Sequence, residues 1–563
     1  MKRILFFSPY SLWQPHLLWE VTVAYALRQR GHTVHFVGCN GLPDCGMEPQ
    51  RTGRRDGSVC TQCRQVTWLM PQTFRLPASF FQDVLSLEEQ QELQEWVAGL
   101  PAEALPATLW QDLPLGEWIW PDMVSYWHTL EPDLNRPEVI ATYRNYLYGA
   151  ALAVRALPRV FDRFAPDVLV TLNGTFFLHR VAVETARARG IRYVTHERGW
   201  MDNTIVLNAN AMVNDMEQYR YQWSNWKDVP LTPAELRAVE KLLIQRRKGR
   251  NMNWVAYSPS PQDLQAVREA MRLPDQPVAL LCTSSDCEGS LYDRERTVKQ
   301  IDWIRHTVEW FRGHPEYTLV IRVHPNEAEH ARVDDRNLQQ LRALKGPDLP
   351  ANVRLILPEE PISTYSLMDM ASVGLVYGST AGLEMACEGI PVVHAGIGIY
   401  KNAGFTYEIT DLAQIPDTMA RVMMLPRDPE IKRMAYRFVY RIFYGLCVPV
   451  RGVKVGRDFC SAQLSYESTA ELAPGRDADL DRIAAYILGE GELYPPPSPE
   501  QRSVLPVHED RFFAEQRVAA LLVAVRQQPG RADLREEALR LLQQLGMEGE
   551  AAALLKSEQP VAA

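Results

Sequence analysis

The stretch ASVGLVYGSTAGLEMACEGIPVVHA, residues 371–395, decides the fold. Its apolar run at 373–377 reads as a buried strand. Gly378, Ser379 and Thr380 follow as a small polar turn, and residues 381–388 have the spacing of a short amphipathic helix. Gly389 stops that helix, and Pro391, Val392 and Val393 begin another strand. Such a unit presents backbone N–H groups and two hydroxyls at a helix N-terminus, where a phosphate is stabilised. The turn therefore points to a phosphorylated ligand, a nucleotide first of all. Glu384, one turn into the helix, is placed to accept from a ribose hydroxyl rather than to hold phosphate, because like charges repel.

The same alternation extends outward. Apolar strand runs at 277–283, 317–323 and 352–357 precede the quoted unit and define a second α/β domain over residues 271–490. A first one spans residues 1–213, with strands at 3–8, 33–37, 167–172 and 191–195. It carries a cysteine-containing loop at 39–63 and a helical insertion at 84–160. Residues 214–270 read as a helical connection, 491–506 as a Pro-rich linker, and 507–563 as a helical C-terminal region suited to a protein partner. The expected fold class is α/β, with two doubly wound, Rossmann-like domains facing a cleft and a helical appendage.

Composition narrows the function. The 563-residue chain is long enough for two or three domains, and its formal charge of −9 argues against a general nucleic-acid binder. No apolar run reaches the roughly 20 residues a membrane span needs. The first residues read as a strand rather than a signal peptide, so the expected compartment is a reducing cytoplasm, with the inner membrane face as an alternative.

Chemistry-bearing residues gather at strand ends. Arg322 and His324 alternate in RVHPN, residues 322–326, so both are expected on one face toward a ligand phosphate. An imidazolium at His324 would offset charge on a leaving group. Glu197, between His196 and Arg198, is the candidate general base. Ser284, Ser285 and Asp286 follow the strand at 277–283, and Lys401 with Tyr400 follows the strand at 391–395, where a lysine can neutralise a diphosphate. Cys39, Cys45, Cys60 and Cys63 form the one cysteine group, including a C-x-x-C knuckle. Its expected occupant is a structural zinc, then an iron–sulfur cluster, then none, with free thiols. No redox cofactor is expected. Trp110, Trp118, Trp120 and Trp127 read as a helical core ahead of a sugar-stacking surface.

The pattern of RVHP at 322–325 and GSTAGLEMACEGIPVV at 378–393 resembles the GT-B glycosyltransferases. Within them it is most similar to the capsule polysaccharide biosynthesis proteins, which include bacterial β-Kdo transferases. The resemblance is specific over residues 320–410, loose over 1–200 and absent over 507–563. It implies a nucleotide-sugar donor, CMP-Kdo or another CMP- or NDP-sugar, whose phosphate meets His324 and the Ser379–Thr380 turn; with the residues read above, the expected donor site is Ser284, Ser285, Arg322, His324, Gly378, Ser379, Thr380, Glu384 and Lys401. It also implies a glycan or glycolipid acceptor near Glu197. The sequence departs from the family where Arg198 replaces a second acid. Two alternatives accompany transfer: a nucleotide-sugar 2-epimerase or polyol-phosphate transferase of the same fold, and a non-catalytic scaffold of a polysaccharide assembly complex.

Overall fold

Ile4, Leu5, Phe6 and Phe7 are all fully buried. Successive strand residues point to opposite faces, so this strand has both faces covered, as in a parallel sheet flanked by helices. The computed structural model describes residues 1–46, 58–249, 259–285, 298–332, 335–344, 349–456, 460–528 and 530–556. Asp286, and the loop between Cys45 and Cys60 apart from its ends, lie outside them.

The first sheet contains β1 (Arg3–Phe7), β2 (Thr33–Gly38), β3 (Ala78–Phe80), β4 (Val168–Leu172), β5 (Arg192–Arg198) and β6 (Thr204–Ala209). Their order is β3-β2-β1-β4-β5-β6, parallel except for the β5–β6 hairpin. The second sheet contains β7 (Val278–Cys282), β8 (Thr318–Arg322), β9 (Val353–Ile356), β10 (Ala371–Val376), β11 (Val392–His394) and β12 (Tyr407–Glu408). Their order is β9-β8-β7-β10-β11-β12, parallel throughout. Each chain path runs outward from a central strand, returns, and runs outward the other way. The reversal falls between β1 and β4 in one sheet and between β7 and β10 in the other, and ligands bind outside strand C-termini at such points.

The connection packs on the second domain, where Tyr219, Trp223, Leu236, Val239 and Leu242 join its core. One expected boundary moves. After the helix Pro429–Val439 and a π-helical turn at Tyr440–Tyr444, the chain crosses back to the first domain. There β13 (Val448–Pro449) pairs with β6, and Leu480, Ile483 and Ile487 of the helix Ala478–Leu488 enter the core of Ile4 and Phe6. This helix lies within residues 271–490, the span expected for the second domain. Its apolar spacing fixes a buried face but says nothing about which sheet that face covers.

The lobes also meet near their strand ends. Trp200 of the first stacks on Phe443 with ring centroids 4.9 Å apart, and His128 of the insertion stacks on His330 at 4.2 Å. Two doubly wound domains bordering one cleft, with the chain returning to the first, make up the GT-B architecture. Among the described residues, no helix is long and apolar enough to cross a membrane.

The C-terminal region is three helices, Val507–Gln527, Ala532–Gln544 and Glu548–Lys556, with a small core around Val518, Leu542 and Ala551. It is fastened to the second domain by Glu509, which is fully buried. Arg437 donates to both of its oxygens, at 2.9 and 2.6 Å, and the Leu231 N–H adds a third bond at 2.8 Å. Removing one partner leaves a buried charge uncompensated, so Glu509→Ala is expected to destabilise the protein by about 3–5 kcal/mol in urea unfolding.

Candidate functional site

At the second domain's reversal, the loops after β7, β8 and β10 are tied together by hydrogen bonds. The Gly378 N–H donates to Ser284 Oγ at 3.0 Å, and Ser284 is held in turn by Gln300. Ser285 Oγ lies 3.4 Å from His324 Nδ1, which also accepts from the Asn326 N–H at 3.2 Å. With Nδ1 accepting, the ring proton of neutral His324 sits on Nε2. Ser379 caps the helix Thr380–Cys387, its hydroxyl accepting from the Ala381 N–H at 3.2 Å. The N–H groups of Ser379 and Thr380 have no partner among the described residues. Close packing shapes this turn: a Cβ on Gly378 would lie 2.3 Å from the Ile397 carbonyl oxygen, and one on Gly382 would lie 2.4 Å from Tyr400 Oη. The structure therefore gathers Ser284, Ser285, His324, Gly378, Ser379 and Thr380 into one corner lined by N–H groups and hydroxyls.

Three other expected donor-site residues behave differently. Arg322 is buried, and its Nη1 donates to the Leu357 carbonyl at 2.6 Å, bracing β8 against the exit of β9. It corrects the expectation that Arg322 and His324 present charge together; alternation put them on one side, but β8 ends at Arg322 and the chain then turns. Glu384 is engaged by Arg246, whose Nε and Nη2 donate to Oε1 at 2.9 and 2.6 Å. Lys401 stands partly exposed beyond β11, beside the buried Tyr400.

At the first domain's reversal, Glu197 lies within β5, opposite Val206, rather than in a loop. Its Oε2 accepts from Asn173 Nδ2 at 3.0 Å and its Oε1 from the Arg198 N–H at 2.9 Å, while His16 Nε2 lies 3.3 Å from Oε1. Its side chain keeps 29% exposure, so the carboxylate is oriented yet reachable. His196, its neighbour in sequence, is buried and donates to Glu20 Oε1 at 2.9 Å. The partner supplied by folding is His16, beyond the C-terminal end of β1. Burial, then His196, Arg198 and His179, holds His16 well below the usual imidazole range, so it stays neutral. Asn173 and His16 were missed as partners because they lie 24 and 181 positions from Glu197. The one available signal was that each follows an apolar strand. Trp13 and Phe176, partly exposed with ring centroids 5.4 Å apart, stand beside His16.

The cysteine group lines one cavity with Pro9, Asp44 and Arg64. Folding brings the four cysteines to one cavity, where Cys63 Sγ donates to the Pro9 carbonyl at 3.9 Å. Cys39 Sγ accepts from Gln82 Nε2 and the Gly41 N–H, both at 3.3 Å, and burial pushes its pKa up to about 12. Among the described residues, no group of three or more His, Cys, Asp or Glu is arranged to hold a metal. Neither the zinc nor the iron–sulfur expectation finds a ligand set there. Trp118 and Trp127 are buried in the first core, with Trp110 packed against it, while Trp120 is partly exposed.

No family model and no curated protein matches the chain. Among solved structures, the Thermosulfurimonas dismutans KpsC β-Kdo 2,4 transferase overlaps at 14% identity and a TM-score of 0.32, covering 54% of this chain and 86% of that one. The UDP-GlcNAc 2-epimerase of Neisseria meningitidis overlaps at 14% identity and 0.27, covering 79% and 98%. The spinosyn rhamnosyltransferase SpnG overlaps at 14% and 0.25, covering 79% and 97%. Overlaps this loose carry no weight for what the chain does.

Two outcomes follow from the burial of these groups. Burial, then His196, lowers His179 to about 3, so the native state binds fewer protons than the unfolded chain below pH 6.5. This contribution to stability is full above about pH 6.5 and is lost progressively as pH falls toward 3. Urea midpoints at pH 7, 5 and 4 are expected to fall in that order, and less steeply in His179→Phe. For the cavity, iodoacetamide is expected to label the partly exposed Cys60 well before the buried Cys39. Stoichiometric zinc by elemental analysis, with all four thiols protected, would instead restore the metal site.

Proposed function

We propose that this protein is a glycosyltransferase that moves a sugar from a nucleotide donor on the second domain to a glycan or glycolipid acceptor on the first. The observation that carries the reading is the pairing of two unlike sites, one at each sheet reversal. One offers N–H and hydroxyl donors with a histidine, suited to a departing phosphate. The other offers an oriented, accessible carboxylate, suited to taking a proton from an acceptor hydroxyl. Donors aimed at developing negative charge stabilise a transition state without reorganising. Ser379, Thr380 and His324 would serve the leaving phosphate in this way. Glu197 would act as the base, kept in position by Asn173 and His16. The cell-surface acceptor class, and CMP-Kdo among the candidate donors, rest on the sequence resemblance over residues 320–410.

The 2-epimerase reading shares the donor corner but has no use for an acceptor-side base. Calorimetry with CMP, UDP and GDP is expected to show binding of one nucleotide class; binding of none removes the donor site. His324→Ala is expected to lower turnover more than roughly tenfold, as loss of a leaving-group donor implies, with little change in the melting temperature. Glu197→Gln is expected to abolish transfer to an acceptor while leaving nucleotide affinity within about twofold, since it makes no donor-site contact. Nucleotide-sugar consumption that needs no acceptor and survives Glu197→Gln would favour the epimerase.

A further inference from the structure

Arg246 belongs to the connection between the domains, yet its side chain ends at the donor turn. It closes the helix Pro233–Arg247, and Nη2 donates to Thr380 Oγ1 at 3.2 Å while also donating to Glu384. The Arg246 and Glu384 side chains are each only 11% exposed. Burial works against the charge on Arg246, but Glu384 outweighs it and raises the guanidinium pKa. Tyr365 packs against the same pair and is itself pushed up, by burial first and then by Glu384. The neighbouring Arg247 is tied to Asp369 at 2.5 Å, so the end of the helix is anchored and Arg246 is fixed in place.

Two consequences follow for Thr380. A hydroxyl has one hydrogen, and accepting from a guanidinium leaves that hydrogen to be donated elsewhere. Hydrogen bonds in a chain polarise one another, so a hydroxyl that accepts from a cation becomes a stronger donor. Glu384 alone would repel an anion at the turn; the salt bridge cancels that field at close range. We infer that Arg246 is a positioning residue of the phosphate turn: it neutralises Glu384 and commits the Thr380 hydroxyl to donate to a phosphate oxygen. The inference rests on reading the turn as the donor phosphate site, and it makes Glu384 the counter-ion of Arg246 rather than the acceptor for ribose.

The test is calorimetry on the full-length protein with CMP, UDP and inorganic pyrophosphate, the last having no ribose. Arg246→Gln is expected to weaken pyrophosphate and the bound nucleotide by about tenfold or more, since it leaves an uncompensated carboxylate beside the anion. Glu384→Gln keeps the cation and is expected to bind both at least as tightly as wild type. The double variant Arg246→Gln/Glu384→Gln loses attraction and repulsion together, and is expected to fall between the two single variants. If Arg246→Gln does not fold, the comparison of the double variant with Glu384→Gln decides, because only the latter retains the polarising cation. Equal affinities in that comparison overturn the inference, as does wild-type affinity in Arg246→Gln. Loss of nucleotide but not pyrophosphate binding in Glu384→Gln assigns Glu384 to the ribose and also overturns it. Failure of wild type to bind any of the three probes is a separate result, because it removes the phosphate site itself.

Discussion

A parallel strand cannot turn back on itself; it needs a crossover, and the crossovers on the two sides of a central strand leave in opposite directions. Where they diverge, the loops at the strand C-termini part and open a crevice. Both domains are built around this constraint. In the second, the Gly378–Ser284 hydrogen bond bridges the loops after β10 and β7 at the point of divergence. In the first, Glu197 draws Asn173 and His16 together at the same point.

The electrostatics of the two sites are opposite in character. The corner on the second domain offers N–H groups, hydroxyls and an imidazole, and the Glu384 carboxylate beside it is matched by Arg246. The corner on the first domain offers a carboxylate that accepts two hydrogen bonds, stands 3.3 Å from His16 Nε2 and remains partly open to solvent. Behind it lie neutral, desolvated histidines, His16 and His179, whose protonation the fold resists. In the proposed transfer an anionic leaving group and a proton-losing hydroxyl would use this division of labour, and keeping the two on separate lobes would prevent one field from cancelling the other.

The lobes are joined by more than a linker. The chain crosses once through the connection, which packs on the second domain, and returns through Tyr440–Tyr444 to complete the first sheet with β13. Glu509 then ties the C-terminal helices to Arg437, on the helix just before the return crossing, and to Leu231 in the connection. The C-terminal region thus clasps both crossings where they adjoin the second domain.

The sequence by itself determined the alternation of apolar strands and amphipathic helices, and therefore two doubly wound domains. It also determined the Ser379–Thr380 turn and the placing of His324 at a strand exit. These are short-range properties: strand periodicity, a helix cap and a glycine stop act over a few residues. Tertiary structure alone decided that Arg322 is a brace, that Arg246 reaches Thr380, that His16 rather than His196 supports Glu197, and that the helix Ala478–Leu488 covers the first sheet. Each of these pairs groups far apart in the chain. Local pattern says that a side chain must be buried or hydrogen-bonded, while only the packed fold says by what.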